Sequence, residues 1–218
     1  MNKVSLNENP DPWHKETENT LKIASLNCAG LRAHFEDIKT DDRLLNADII
    51  HLIESSVTVD DDNKEFILEV YSQSFIKMGQ GKGISTYYDQ DKLKPVGEVR
   101  MEEFQITKFK HETLDILNVY RSQKRITLIM GDFNICFMEN FNNRLIQGLL
   151  QIGFDQLVHE PTHIRGRHID QAFLLDPSRR LKPIIDRYSP YYSDHDGICI
   201  TLKDLKPKEA QLEEEAIP

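Results

Sequence analysis

The chain has 218 residues and a net charge of −9, from 36 acidic and 27 basic side chains, and 39% of its residues are hydrophobic. This length and apolar content predict one globular domain, and no stretch approaches the roughly 18 consecutive apolar residues of a membrane-spanning helix. The acidic balance counts against a surface that is basic all over, which proteins of long nucleic acids usually present. A local basic groove is still compatible, because basic side chains gather at 121–125, 165–168 and 179–182.

The three cysteines, Cys28, Cys136 and Cys199, are odd in number and show no Cys-x-x-Cys spacing. They predict buried free thiols in a reducing compartment, and neither a disulfide framework nor a zinc site is indicated. The first residues lack the apolar stretch of a secretory signal. We therefore expect an intracellular protein, nuclear or cytoplasmic, that is not attached to a membrane.

Three segments are distinguished by composition along the chain. Residues 1–19 are polar, contain two prolines and show no periodicity, so they predict a flexible leader. Residues 20–203 carry the alternating and apolar patterns of a folded domain, and residues 204–218 form a charged tail.

The folded segment predicts many strands and few long helices. In chain order, we expect strands at 21–27 and 47–54, a helix within 31–45, a strand or short helix at 66–78, strands at 84–88, 105–110, 114–120 and 126–130, a helix at 142–152 that Gly153 caps, and strands at 169–174 and 197–202. This pattern predicts an α+β fold in which two mixed sheets pack face to face and helices flank them.

Polar side chains collect where these strands end. They are Asn27, Glu54, Tyr120, Asp132, Asn134, Asp170, Asp194 and His195. Carboxylates and amides are hard oxygen ligands for Mg²⁺, and a carboxylate or an imidazole can accept a proton from an attacking water. Taken singly, each residue has an ordinary structural explanation, such as a turn side chain or a cap. Taken together, they indicate metal-dependent hydrolysis of a phosphodiester.

Six motifs in this order resemble those of the endonuclease/exonuclease/phosphatase superfamily, which has the DNase I-like fold. They lie at 25–33, 47–54, 118–121, 131–134, 168–170 and 193–195. The resemblance covers nearly the whole folded segment and implies a four-layer α/β/β/α sandwich. The segments 81–88 and 160–163 further resemble endonuclease domains that mobile elements encode.

The resemblance implies a metal site and a site for the attacking water. Glu54 would bind Mg²⁺, with Mn²⁺ as a substitute, and Asn27 and Asp194 would lie close to the metal. Asp132 would orient the water or accept its proton. Asn134 would hold the water or the substrate in line.

The resemblance also implies a set of contacts to the scissile phosphate. His195 would contact the phosphate or act as an acid or base, and Asp170 would steady it. Tyr120 would hydrogen-bond the phosphate or assist the leaving oxygen. Thr162, His163 and Arg121 are the expected substrate contacts.

Two features depart from the family. Ala29 stands where abasic-site endonucleases carry a second acidic residue, which disfavours that specialised activity. Only residues 121–125 separate the tyrosine motif from the strand that leads into Asp132, where the family has a long helical crossover. A parallel pair of strands needs a connection of about a dozen or more residues, so either these strands form a hairpin or a helix is missing.

The leading expectation is a Mg²⁺-dependent endonuclease, derived from a mobile element, that nicks DNA. One alternative is a phosphatase or phosphodiesterase for a small or lipid phosphate, which the acidic balance suits. Another is a catalytically impaired scaffold of the same fold, which the short connection suits. The sequence does not predict the oligomeric state.

Overall fold

The structure, a computed structural model, describes residue 13 and residues 20–100, 105–110, 114–116, 126–138 and 143–203, with the backbone alone at 95–100, 105–110 and 114–116. The described strands, in chain order, are β1 (Leu21–Asn27), β2 (Ile49–Ile53), β3 (Ser72–Ile76), β4 (Ile84–Tyr88), β5 (Lys94–Arg100), β6 (Gln105–Lys110), β7 (Leu114–Ile116), β8 (Ile126–Asp132), β9 (Asp155–Gln156), β10 (Asp170–Leu175), β11 (Ile184–Tyr188) and β12 (Gly197–Leu202). The described helices are α1 (Leu31–Ile38), α2 (Asp42–Leu45), a 3₁₀ helix (Asn63–Phe66) and α3 (Arg144–Ile152).

The strands form two six-stranded mixed sheets. The first has the order β11-β12-β1-β2-β4-β3, and the second has the order β5-β6-β7-β8-β10-β9. Within the first sheet β1 and β2 are parallel, and within the second β7 and β8 are parallel, while the other paired strands are antiparallel. The predicted α+β fold with two mixed sheets is confirmed.

Three hydrophobic clusters account for the layers. The cluster between the sheets joins Leu21 and Ile23 of β1 to Leu128 of β8. On the outer face of the first sheet, the apolar side of α1 packs against other residues of β1 and β2. On the outer face of the second sheet, α3 packs against β8 and β10. Because alternate residues of a strand point to opposite faces, β1 contributes to two clusters and is buried along its whole length.

The helix predicted within 31–45 is two helices. The side chain of Asp41 accepts hydrogen bonds from the backbone N–H groups of Arg43 and Leu44, at 2.9 and 3.2 Å. Asp41 is therefore the N-cap of α2, a position that aspartate favours, and the first helix ends before it. In contrast, α3 agrees with its prediction, with Asn143 as N-cap and Gly153 in the left-handed conformation that ends it.

Three strands were missing from the sequence prediction. β5 contains Pro95 and Gly97, both unfavourable in strands, and its pairing shifts register between them. β9 has only two residues. β11 alternates between half-buried and exposed positions, as expected at the edge of a sheet, and includes charged side chains. Such strands carry little apolar signal.

Trp13 lies within the predicted flexible leader, yet its side chain is buried. It belongs to the cluster under α1, and its indole Nε1–H donates a hydrogen bond to the backbone oxygen of Arg43 at 2.8 Å. The Lys22 ammonium lies 5.9 Å from the ring centroid. The folded unit therefore includes residue 13. The other residues of the predicted leader, and the whole predicted tail, lie outside the described residues.

The parallel pairing of β7 with β8 excludes the hairpin that the sequence had left open. Their connection, residues 117–125, lies outside the described residues and is shorter than the dozen or so that such crossovers usually need. The absence of the long helical crossover that the resemblance implies stays a prediction from the length of this connection.

The cysteines and the helices can be compared with what composition predicted. All three cysteines are buried and free. Among the helices in the described ranges, none is long and apolar enough to cross a membrane.

Candidate active site

The first sheet brings three polar strand ends to one edge. Because β1 and β2 are parallel, Asn27 lies beside Ile53, and Glu54 follows directly. β12 runs antiparallel to β1, so the segment before β12 returns to the same edge with His195. The hydroxyl of Ser193 fixes this arrangement, since it donates to the backbone oxygen of Asn27 at 2.7 Å and accepts the backbone N–H of His195 at 3.0 Å.

The second sheet places two carboxylates opposite each other at the facing edge. β8 ends at Asp132 and β10 begins at Asp170, and these two residues are paired in the antiparallel register. The amide Nδ2 of Asn27 donates to Oδ2 of Asp132 at 3.1 Å, which is a direct hydrogen bond between the sheets. Those predicted strand-end residues that the structure describes therefore meet at one site.

His195 and Asp170 form a buried imidazole–carboxylate pair. Nδ1 of His195 lies 2.9 Å from Oδ2 of Asp170, and the two residues are 7% and 4% exposed. Burial raises the pKa of Asp170, although its bond to His195 partly opposes this. Burial lowers the pKa of His195, but the bond to Asp170 and the negative charges of Asp170, Asp132 and Asp194 outweigh it, so the pKa is raised overall. Asp170 thus orients the ring and favours its protonated form.

Asp132 is held by two donors. Besides the amide of Asn27 on Oδ2, the backbone N–H of Asn134 donates to Oδ1 at 2.8 Å. Asn134 has a positive φ of 53°, a conformation that asparagine adopts more readily than most residues, and its side chain is exposed. This turn therefore fixes the carboxylate of Asp132 and leaves the Asn134 side chain at the surface of the site.

Glu54 occupies a strained position at the end of β2. Its φ is 53°, in the left-handed region that costs a glutamate of order 1 kcal/mol or more. Partial burial raises the pKa of its carboxyl, a hydrogen bond with Asn27 lowers it, and the neighbouring charge of Asp132 raises it further. Strain and an unfavourable carboxylate environment together are typical of functional sites.

The donor chemistry fits a hard divalent cation. Glu54 and the half-exposed Asp194 supply carboxylate oxygens. Burial, and after it the charges of the neighbouring acids, raise the pKa of Glu54, and a bound cation would offset the repulsion between these acids. Two sets of side chains in the described ranges have ligand atoms within 4.8 Å of one another: His163, Asp194 and His195, and Asp132, Asp170 and His195. Glu54 belongs to neither set.

Asn27 is engaged on both sides of its amide. Its Oδ1 accepts the backbone N–H of Ala29 at 3.1 Å, and its nitrogen faces Asp132. In this arrangement the residue orients the neighbouring acids. Its role as a metal ligand stays a prediction, because an amide oxygen that accepts one bond retains a second lone pair.

Tyr120, Arg121 and Thr162 are further residues that were predicted to contact the substrate. Tyr120 and Arg121 lie outside the described residues. Thr162 is fully buried, and its hydroxyl accepts the backbone N–H of Asp170 at 3.0 Å. Ser193, described above, was part of a recognised motif, but its bridging contacts depend on the tertiary fold and give no signal of their own in the sequence.

A cleft of about 470 Å³ lies between the start of α1 and the loop after β2. Ser55 and Ser56, which follow Glu54 directly, form part of its wall. Arg32 at the rim is paired with Asp61 and Glu65, at 2.6 and 2.5 Å. The cleft is thus continuous in sequence with the candidate metal acid.

Comparisons by sequence find no matching family model and no matching curated protein. Comparisons by structure find many solved proteins of similar fold. The 3′ phosphatase NExo from Neisseria, solved bound to a product DNA hairpin, superposes with a TM-score of 0.64 at 13% identity, over 83% of this chain and 98% of that one. An AP endonuclease from Archaeoglobus fulgidus gives 0.62 at 15% identity, over 83% and 98%.

A third similar structure is truncated TDP2 from Caenorhabditis elegans, with a TM-score of 0.58 at 14% identity over 84% of this chain and 97% of that one. At identities this low, the superpositions establish the fold but do not by themselves transfer an activity. The two mixed sheets with their flanking helices indicate the same fold as these superpositions. This chain has the DNase I-like fold, which these solved proteins share.

Proposed function

We propose that this protein is a divalent-metal-dependent phosphodiester hydrolase and that it nicks DNA. The observation that carries the proposal is the convergence of the buried His195–Asp170 pair with Asp132 and Glu54 at the facing edges of the two sheets. The hydrogen bond from Asn27 to Asp132 joins the two halves. A hydrolytic site needs a proton acceptor, a cationic group and metal ligands within a few ångströms, and these side chains supply all three.

Asp132 is the group best placed to activate water. Its two oxygens are oriented by Asn27 and by the backbone of Asn134, so the carboxylate needs little rearrangement before it accepts a proton. The exposed amide of Asn134 is adjacent and can hold the water or a phosphate oxygen in line. This matches the roles that the family resemblance implies.

His195 is the cationic partner. Its raised pKa favours an imidazolium, whose remaining Nε2–H offsets the charge that develops on the phosphate oxygens. A Mg²⁺ or Mn²⁺ ion held by Glu54, with Asp194 and Asn27 close by, would supply further stabilisation of that charge. We assign Thr162 to the support of Asp170, in accordance with its burial, in place of direct substrate contact.

DNA is the favoured substrate on the strength of the proteins with a similar fold, one of which was solved with a product DNA hairpin and another of which is an AP endonuclease. The sequence segments 81–88 and 160–163 support an origin in a mobile element. Three buried free thiols support an intracellular location, nuclear or cytoplasmic. The net charge of −9 favours the second candidate, a hydrolase of small or lipid phosphate esters.

The test is relaxation of supercoiled plasmid by the purified protein with Mg²⁺, with EDTA as the metal-free control. His195→Ala prepared in parallel excludes a contaminating nuclease. We expect Mg²⁺-dependent nicking that a small diester such as bis(p-nitrophenyl) phosphate inhibits only weakly. No nicking, together with hydrolysis of the small ester, would favour the second candidate. No hydrolysis of either substrate by a folded protein would favour the impaired scaffold that the short 117–125 connection suggests.

A further inference from the structure

A tight turn over residues 162–167, here called the 162–167 turn, lies against the candidate site. The backbone N–H groups of Thr162 and His163 both donate to the oxygen of Arg167, at 3.0 and 3.1 Å. The N–H of Gly166 donates to the oxygen of His163 at 2.8 Å. These bonds close the turn on itself and fix the backbone that carries His163.

The 162–167 turn is also joined to the segment that carries Asp194. The N–H of Ile164 donates to the backbone oxygen of Asp194 at 3.0 Å, and the N–H of Asp196 donates to the oxygen of Thr162 at 2.6 Å. The two segments therefore run side by side as an isolated bridge. His163 cannot move away from Asp194 without breaking these bonds.

The imidazole of His163 has a different partner at each nitrogen. Its Nδ1 accepts the backbone N–H of Arg165 at 3.0 Å, and its Nε2 lies 3.2 Å from Oδ2 of Asp194. The ring meets the ring of His195 edge to face, with centroids 4.8 Å apart. The His163 side chain is 9% exposed, whereas that of Asp194 is 48% exposed.

These contacts determine the tautomer of the neutral ring. A nitrogen that faces a backbone N–H must present its lone pair, so the ring hydrogen of His163 resides on Nε2. Nε2 then carries the ring hydrogen, 3.2 Å from Oδ2 of Asp194, and has no lone pair to offer. Although His163, Asp194 and His195 are near enough to hold a metal ion together, the contact with Arg165 therefore opposes His163 as a ligand.

We propose that His163 is a positioning residue, which fixes one carboxylate oxygen of Asp194 so that the other is presented to the divalent cation. This inference rests on the proposed function, in which Asp194 lies close to the metal. Oδ2 of Asp194 is occupied by His163, while Oδ1 lies on the side of His195, 4.0 Å from its Nε2. An exposed aspartate would otherwise sample several rotamers, and a neighbouring donor that restricts a metal ligand commonly raises metal affinity.

Two substitutions separate the effect of the Nε2–H group from that of the shape of the ring. His163→Phe keeps a ring against His195 but removes the donor. His163→Gln places an amide N–H the same number of bonds from the backbone as Nε2. His159→Gln, at an exposed histidine in the same region, is the matched control. The readout is the dissociation constant for Mn²⁺, taken from the paramagnetic resonance signal of the free ion, without substrate.

We expect His163→Phe to weaken Mn²⁺ binding by about tenfold or more, as the loss of a group that supports a metal ligand commonly does. His163→Gln should retain most of the affinity, and His159→Gln should be unchanged. Equal affinity in wild type and His163→Phe would overturn the inference. So would equal losses in His163→Phe and His163→Gln, since these would indicate that the ring nitrogen itself binds the metal.

The tautomer can be tested without any substitution. Nitrogen-15 NMR of the wild-type protein should show the His163 hydrogen on Nε2, and a hydrogen on Nδ1 would contradict the inference. The outcomes also separate it from the proposed function. A wild type that fails to nick DNA, yet binds Mn²⁺ in a way that depends on the His163 donor, refutes only the nuclease. Nicking by the wild type with normal Mn²⁺ binding by His163→Phe refutes only the role of His163.

Discussion

At the residue scale, the candidate site consists of side chains whose orientation is already set by protein partners. Asp170 holds His195 at 2.9 Å, and Asn27 holds Asp132 at 3.1 Å. Such preorganisation lowers the cost of reaching the transition state, because few groups must reorient during the reaction. It also means that substitutions which keep shape but remove one hydrogen bond are informative.

Asp170→Asn tests the imidazole–carboxylate pair. The amide keeps the size of the side chain but removes the charge that raises the pKa of His195, so that burial should then lower this pKa. We expect the rate of Mg²⁺-dependent cleavage to fall by about 10²- to 10⁴-fold. NMR titration of the His195 ring in EDTA measures the pKa directly. An unchanged His195 pKa in the variant would contradict this account of the pair.

The same pair makes a stability prediction. Since folding raises the pKa of His195, its contribution to stability is fully present below the unfolded value near 6.5 and is lost as pH rises through the folded value. In EDTA, the free energy of unfolding of the wild type should therefore decline, relative to Asp170→Asn, as pH rises from the unfolded value through the raised folded value of His195, in urea denaturation. Parallel curves for the two proteins would count against the pair.

Protonation of Glu54 should set the lowest pH at which the protein binds the metal. Because burial and the charge of Asp132 raise its pKa, protons should compete with Mg²⁺ at a pH above the ordinary glutamate value of about 4.3. We expect the Mg²⁺-induced increase in melting temperature to disappear as pH falls through this raised value, and to be absent at every pH in Glu54→Gln. Glu69→Gln, at an exposed glutamate, is the control. Full Mg²⁺ stabilisation of Glu54→Gln would remove Glu54 from the metal site.

The sequence predicted the identity of most of these side chains better than their contacts. Glu54 and Asp132 stand out because an acid after an apolar strand needs a reason to be there. The burial of Thr162 and the two partners of His163 depend on a turn that packs against a segment about thirty residues later, and no local pattern indicates this. Contacts between distant segments are what single-sequence reasoning lacks.

At the element scale, β2 and β8 are examples of predicted strands that are largely buried on both faces, where the apolar run is continuous. The strands that were missed are short or lie at sheet edges. The start of β12, two residues after His195, is tightly packed. The ring of Tyr188 in β11 packs directly on Gly197. A Cβ at Gly197 would come within 2.1 Å of that ring.

Gly197→Ala should therefore displace Tyr188 and lower the free energy of unfolding by about 1–3 kcal/mol, the usual cost of overpacking. Gly148→Ala is the matched control, because Gly148 lies within α3 and a Cβ there meets nothing within 4 Å. Alanine at that helical position should stabilise by about 0.5–1 kcal/mol. Denaturant unfolding of both variants measures the difference, and a Gly197→Ala protein as stable as wild type would show that the close contact is easily relieved.

At the scale of the whole molecule, two sheets supply different halves of the site, so the site exists only when the sandwich is assembled. The order of motifs along the chain was enough to predict this assembly. It did not predict that Trp13, outside the recognised motifs, would be part of the core under α1. The short connection between β7 and β8 was visible in the sequence, and the parallel pairing that resolved its alternatives required the structure.

Trp13→Phe and Trp13→Ala test how far the folded unit extends. Trp13 is 2% exposed and donates a hydrogen bond to Arg43, so Trp13→Ala should cost about 3–5 kcal/mol in the free energy of unfolding, and Trp13→Phe should cost less. Far-ultraviolet circular dichroism during urea unfolding measures both. A stability of Trp13→Ala equal to wild type would return residue 13 to the flexible leader.

The central claim is that strand ends from both sheets act as one hydrolytic site. The most direct test is a double-mutant cycle on plasmid nicking with Asp132→Ala from the second sheet and His195→Ala from the segment before β12. If the two groups serve one step, each single variant should lose nearly all Mg²⁺-dependent nicking, and the double variant should be no slower than the worse single variant. Nicking that survives in both single variants, or losses that multiply in the double variant, would contradict the claim.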